Sequence, residues 1–333
     1  MSGMPDARSQ LPAVLIVVTA AFLFGTLGIL SRAADDQGLH PFAWVAWRAG
    51  LGALGLWLVI GRRRGLRQIL DGIRAATSME RRWLLVAVVA SAGLNLSIFV
   101  AFQRTAIALA LLGFYTYPAM VTLVTAWLGH ERLDRMRIAA LALAVTGMVA
   151  VVAGGLAPGT ALSLDVLGIG LSLVAALCQT VFVVANRGYA SIRNEEAMGV
   201  ILGGSMLIAI TVTTLTAGAG ALFLPFGNPG LLALLVGVGL FVAALPSFMF
   251  LTGIRRLGPV RAGILMLFEP VVGAALAALV LHEDLTALQL AGGATILGAA
   301  ILVQRARAAA PRPGTTPSIP DVEVAVAPAP GGP

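Results

Sequence analysis

Ten apolar runs of roughly bilayer-crossing length dominate the chain: 11–31, 41–60, 83–103, 106–128, 137–155, 166–186, 197–217, 231–252, 259–281 and 287–303. A hydrocarbon core about 30 Å thick calls for about 20 mostly apolar residues in an α-helix. Of the 333 residues 59% are hydrophobic and 11% charged, against about 45–50% and about 25% in soluble domains. A water-soluble globule with so little polar surface would be left with large sticky patches. The chain therefore reads as an all-α integral membrane protein with ten transmembrane helices. The first run is longer than a signal-peptide core and lacks a convincing cleavage site, so it reads as a retained helix. Residues 1–10 form a short N-terminus, 156–165 a linker, and 304–333, rich in Pro, Ala and Gly, a disordered tail.

All 22 basic residues are arginine. Without lysine there is no Walker A phosphate loop and no lysine Schiff base. A single cysteine, Cys178, precludes an internal disulfide and a multi-cysteine zinc site. The three histidines, His40, His130 and His282, lie near the ends of apolar runs, so neither a metal centre nor a cofactor is expected. With the N-terminus in the cytoplasm, 19 arginines fall in inside segments and two, Arg32 and Arg104, outside, while Arg48 lies within the second run. That bias is the one cytoplasmic loops carry. Both termini are then cytoplasmic, in the plasma or inner membrane. The net charge of +7 sets topology. A nucleic-acid partner is not expected, because no soluble domain remains to present a basic face.

The chain repeats itself. At an offset of 152, Arg104 matches Arg256, Ala110 matches Ala262, Pro118 matches Pro270, His130-Glu131 matches His282-Glu283, and Leu133 matches Leu285. Upstream, at an offset of 155, Ala20-Ala21 matches Ala175-Ala176 and Arg32 matches Arg187. The halves are 11–155 and 166–303, each with five helices. Five is odd, so the second half crosses the bilayer in the opposite sense. Inverted repeats of this kind are an architecture of secondary transporters, with the substrate site near the midplane between the halves.

YTYPAMVTLVTAWLGHERL (115–133) and MLFEPVVGAALAALVLHEDL (266–285) resemble the paired signatures of the EamA family, the ten-helix branch of the drug/metabolite transporter superfamily. PFAWVAWRAGLGAL (41–54) and the segments TGMVAVV and LGAAILV are similar to it too. A departure is the histidine before Glu131 and Glu283, where the family pattern has a small or apolar residue. The resemblance spans 11–303. It implies a 5+5 inverted fold with a cavity lined mainly by helices 1, 3, 4, 6, 8 and 9. It also implies secondary active export or exchange of small metabolites, amino acids or drug-like compounds by alternating access. The chain is not expected to be an enzyme. The alternatives are a passive facilitator or channel, or a membrane-embedded enzyme acting on lipid, for which the paired acids lack metal-ligand spacing.

Polar residues inside the runs are the candidate substrate pathway. Glu269 lies well away from either interface, and a carboxylate at mid-bilayer costs about 2.5–3.5 kcal/mol unless it faces a cavity or a partner. Pro270 beside it denies a hydrogen bond to a carbonyl one turn back. Glu269 either binds a cationic group or carries a coupling proton, or else satisfies backbone groups at the kink. Its counterpart in the first half is Tyr117, before Pro118, so the charge is not duplicated. Arg48 either snorkels to the outer interface or pairs with an acid. Ser172, Gln179 and Asn186 recur at steps of seven behind Asp165 and share a helix face, as pathway lining or as interhelical hydrogen bonds. Asn95, Phe99 and Gln103 share another, and Asn95 corresponds to Ser247. Phe114, Tyr115, Tyr117 and Phe268 bracket the prolines, either as an aromatic platform or as packing. The His-Glu pairs end their runs as gates or as simple polar stops.

Overall fold

The computed structural model describes residues 7–64, 74–105, 107–129, 134–154, 165–281 and 286–305. The linker at 156–164, both His-Glu pairs and the tail beyond 305 lie outside these residues. Among the described residues the chain is helical, without strands: α1 (Ala7–Gly25), α2 (Leu27–Asp35), α3 (Pro41–Arg64), α4 (Ser78–Arg104), α5 (Ile107–Phe114), α6 (Tyr117–Trp127), α7 (Arg135–Gly154), α8 (Val166–Ala185), α9 (Asn194–Ala217), α10 (Pro229–Gly237), α11 (Leu245–Leu257), α12 (Pro259–Met266), α13 (Glu269–Leu281) and α14 (Ala287–Arg305). Eight stretches among them are long and apolar enough to cross a bilayer. The other two expected runs are helical as well. One is the broken pair α12–α13; the other lies in α14, whose apolar part, Ala287–Leu302, is shorter.

Local chemistry sets the ends. Thr77 and Glu80 form a reciprocal capping box that starts α4. Asp165 accepts from the N–H groups of Leu167 and Gly168 at the start of α8, and Asn228 caps α10 ahead of Pro229.

The interruptions have equally local causes. Pro118 and Pro270 cannot donate to the carbonyls four residues back, and the helices break just upstream of them, at 115–116 and 267–268. Pro246 does the same to α10–α11. There the ladder slips into a π-helical segment, Val238–Ala244, where the Leu245 N–H reaches back to the Leu240 carbonyl. α1 and α2 part at Thr26, whose hydroxyl donates to the Leu23 carbonyl.

Helices pack as antiparallel neighbours. α4 lies along α8, α1 along α11, α3 along α9 and α7 along α14, and the short helices α6 and α12 meet each other. At one end of the bundle Arg104 pairs with Asp165 at 2.8 Å, Thr286 Oγ1 donates to the Gly154 carbonyl at 3.1 Å, and Asn228 Nδ2 to Gln37 Oε1 at 2.9 Å. At the other end Arg255 Nε donates to Asn186 Oδ1 at 3.0 Å, its Nη2 to the Tyr189 carbonyl at 3.2 Å and its Nη1 to the Ile192 carbonyl. Asn194 Nδ2 donates to Thr252 Oγ1 nearby.

The interior is rich in fully buried alanine, including Ala20, Ala21, Ala87, Ala140, Ala144, Ala175 and Ala176. Such small side chains let helices approach closely where lipid offers no hydrophobic drive. The outside is apolar: Leu123, Leu207 and Phe241, mid-helix, are 66%, 61% and 61% exposed. That periphery suits acyl chains.

Candidate functional site

A cavity of about 810 Å³ runs down the centre of the bundle. One end is bordered by Asp36, Phe102 and Gln289, where Asp36 is exposed and the other two half-buried. The opposite end is floored by Phe182, Met198, Phe250 and Met266, all buried. Beneath that floor lies the Arg255 network, which ties the turn after α8 to the end of α11.

An arginine and a glutamate face this space away from the mouth. Arg48 projects from α3, only 7% exposed. Its Nη2 donates to Asn95 Oδ1 on α4, and its guanidinium lies 5.4 Å from the centre of the Phe99 ring one turn further on. Asn95 is itself oriented by donating to the Ser91 carbonyl at 2.7 Å. Arg48 thus points inward, held by α4, rather than snorkelling to an interface. Its Nε has no hydrogen-bond partner among the described residues.

Glu269 opens α13 immediately after the break and is half-buried, bordering the cavity. α1 comes close beside it through Gly25: a Cβ there would lie 3.0 Å from the Glu269 carbonyl and 2.8 Å from Val272 Cβ. The Tyr115 hydroxyl stands next to the Glu269 carboxyl without a hydrogen bond of regular geometry. Arg48 and Glu269 interact through space, yet they are not an ion pair in contact among the described residues.

Seven of the nine predicted residues border the cavity: Arg48, Asn95, Tyr117, Gln179, Ser247, Glu269 and Pro270. Two do not. Ser172 is fully buried and donates to the Ile169 carbonyl at 2.7 Å, packed against Gly113 of α5. Pro118 is buried against Gly263, where the two broken helices meet. The polar face of α8 divides because its neighbours change along its length: Asp165 binds Arg104, Ser172 meets α5, Gln179 meets the cavity and Asn186 binds Arg255. On α4, Asn95 and Phe99 reach the cavity while Gln103 is exposed.

The aromatic group also divides. Phe114, Tyr115 and Tyr117 cluster at the break, with Phe114 5.2 Å from Tyr117 and 5.4 Å from Tyr115 between ring centres. All three border the cavity, whereas Phe268 does not.

Beyond Arg48, the sequence did not anticipate the share taken by the second and seventh runs. α3 supplies Val45, Arg48 and Ala49, and α9 supplies Met198, Ile201, Leu202 and Ser205. The Ser205 hydroxyl is buried with no hydrogen-bond partner among the described residues. Among the described residues no group of three or more His, Cys, Asp or Glu side chains is placed to hold a metal ion.

Comparison with known proteins adds three findings. The model of the EamA-like transporter family matches residues 11–153 and again 166–305. An uncharacterized transporter of Archaeoglobus fulgidus is 29% identical over 212 residues, 63% of this chain and 71% of that protein. A solved crystal structure superposes with a TM-score of 0.70 at 21% identity, over 88% of this chain and 97% of the other. At that identity the likeness speaks for the fold alone.

Proposed function

Because the chain belongs to the EamA-like transporter family, we propose that this multi-pass membrane protein is a secondary transporter that moves a small metabolite, amino acid or drug-like compound through the central cavity by alternating access. The observation that carries this reading is one cavity of about 810 Å³, bordered by both family-matched segments, with Arg48 from one and Glu269 from the other inside it. Cavities that take small molecules have this size and this balance of apolar wall and few polar groups. Family membership points to transport rather than catalysis.

The architecture we propose is ten spans in two inverted five-helix halves, α1–α7 and α8–α14. The helix pairing supports it. The repeat equates α1 with α8, and α4 with α10–α11. The contact of α4 with α8 and that of α1 with α11 are then the same contact seen from either half. α3 pairs with its own equivalent α9, and α7 with α14, as a two-fold axis in the membrane plane requires. The arginine distribution supports cytoplasmic placement of both termini. The end bordered by Asp36 and Gln289 then faces outward, and the floor of Phe182, Met198, Phe250 and Met266 closes the inner side.

Export is the proposed direction, by family analogy. Glu269 is the proposed carrier of a coupling proton. An untargeted comparison of metabolites inside and outside a deletion strain and an overexpressing strain gives substrate and direction together. With the substrate known, proteoliposomes read accumulation against a gradient, which a passive facilitator does not produce. In the same vesicles Glu269→Gln abolishes substrate-driven proton flux; unchanged coupling removes Glu269 from that role.

A further inference from the structure

The geometry points to a two-pole binding site: the cavity takes a dipolar solute whose carboxylate-type anion is bound by Arg48 and whose ammonium-type cation is bound by Glu269, with Asn95 as the residue that positions Arg48. This deepens the transport reading and rests on it only for what happens after binding. Among the described residues the charged side chains that border the cavity are Asp36, at the mouth, and the deep pair Arg48 and Glu269. If the deep pair served only to neutralise itself, direct contact would be the economical arrangement, since an ion pair in a dry interior needs close geometry and full hydrogen bonding. Instead the two are held apart, each by its own element. Arg48 is fixed by Asn95 and Phe99 on α4, and Glu269 by the start of α13 with α1 wedged beside it.

Each pole keeps unspent capacity. Among the described residues Arg48 Nε and, on the cavity wall, the Ser205 hydroxyl are buried donors without hydrogen-bond partners, while the Tyr115 hydroxyl stands beside the Glu269 carboxyl. A guanidinium with free N–H groups matches a planar anion. A carboxylate with the Tyr115 hydroxyl beside it matches an ammonium group. A solute with one charge only engages one pole and leaves the other to its protein partners. The apolar lining, Phe99 and Phe114 near the poles and Phe182 and Phe250 at the floor, suits an uncharged body.

The orientation is fixed by sequence rather than by symmetry. The repeat mates of the two poles are Tyr117, for Glu269, and Gly203, for Arg48 at the upstream offset. The site therefore has one positive and one negative end, not two of each.

The test uses the full chain in lipid nanodiscs, with ligand-dependent thermal stabilisation read for four probes: leucine, 6-aminohexanoate, 4-methylpentanoate and 3-methylbutylamine. The first two are dipolar with near and distant charges; the others keep one pole each. At least one dipolar probe binds about tenfold or more tighter than both single-charge probes, as expected for charge-assisted contacts at two poles. Equal binding of all four, or no dipolar probe ahead of its single-charge analogues, overturns the proposal. Arg48→Gln erases the preference of the dipolar probe over the amine, and Glu269→Gln its preference over the acid. Asn95→Ala reproduces the Arg48→Gln pattern in weaker form while leaving discrimination at the Glu269 pole intact. A uniform loss across all probes in Asn95→Ala would make Asn95 merely structural and remove it from the positioning role. Dipolar binding without flux in vesicles would leave the site standing and sink transport; flux of an uncharged solute with no dipolar preference would do the reverse.

Discussion

Arg48 shows how a charge can be kept inside a membrane protein. Its guanidinium is distributed over an amide oxygen, an aromatic face and the field of a distant carboxylate, and α4 supplies the first two from one side. Asn95→Leu removes the amide oxygen while keeping the volume. Leaving a buried donor unanswered costs about 1–3 kcal/mol, so thermal unfolding in detergent should show a fall of that size, and Asn95→Gln should recover part of it. No rule of spacing joins residue 48 to residue 95, so this contact was not legible in the sequence, which left anchoring at an interface and pairing with an acid open for Arg48. Glu269 was legible, because a carboxylate so deep in an apolar run demands an explanation.

Asp165 gives a pH handle outside the spans. The hydrogen bond from the Gly168 N–H, aided by Arg104, holds its carboxyl below the usual aspartate range against the opposing effect of burial. A carboxyl with a depressed folded-state value contributes stability that is complete above its unfolded value of about 3.9 and lost as pH falls through the folded value. Melting temperatures scanned from about pH 6 down to about pH 3 should therefore drop more in the wild type than in Asp165→Asn, which keeps the cap but not the charge. High salt should shrink that difference, since the pair with Arg104 is solvent-accessible.

At the scale of the element, the apolar runs told where helices lie, and the prolines told where they break. Both breaks fall within three residues upstream of Pro118 and Pro270, because a missing N–H acts on the turn before it. The π-helical slip before Pro246 has the same cause but was not legible, since whether a freed carbonyl produces a break or a slip depends on what packs outside it. The division of α8's polar face was equally hidden: a periodic stripe fixes which side of a helix is polar, not which neighbour each turn meets. The contact of α7 with α14 is the tightest test of packing. A Cβ on Gly147 would lie 2.7 Å from the Gly292 carbonyl, and one on Gly292 2.6 Å from that of Gly147. Gly147→Leu or Gly292→Leu should destabilise the protein by about 1–3 kcal/mol or more, seen as a lower melting temperature, whereas Gly170→Ala, with open space around it, should not.

For the whole molecule, orientation is the property most open to direct measurement. In a Cys178→Ala background, single cysteines at Asp36 and Gln289 should react with an impermeant maleimide added outside intact cells. Cysteines at Thr77 and Ser191 should react only after the membrane is opened. Labelling of all four from one side would refute the inverted arrangement. The composition made the membrane legible, and the offset of 152 residues made the doubling legible. What the chain does with its central space was not, because a cavity is made by residues that share no segment.

The unequal partners at the two proline breaks, Glu269 on one side and Tyr117 on the other, carry a kinetic consequence. A carrier with equivalent halves would meet its cargo with the same half-saturation from either compartment. In the proposed alternating-access cycle the inward- and outward-presenting states would differ in free energy even with no gradient applied, because only one half bears the acid. Detailed balance keeps the ratio of maximal rate to half-saturation equal in both directions for the uncoupled cycle. The skew therefore emerges in both quantities together: the slower direction is also the one that saturates first.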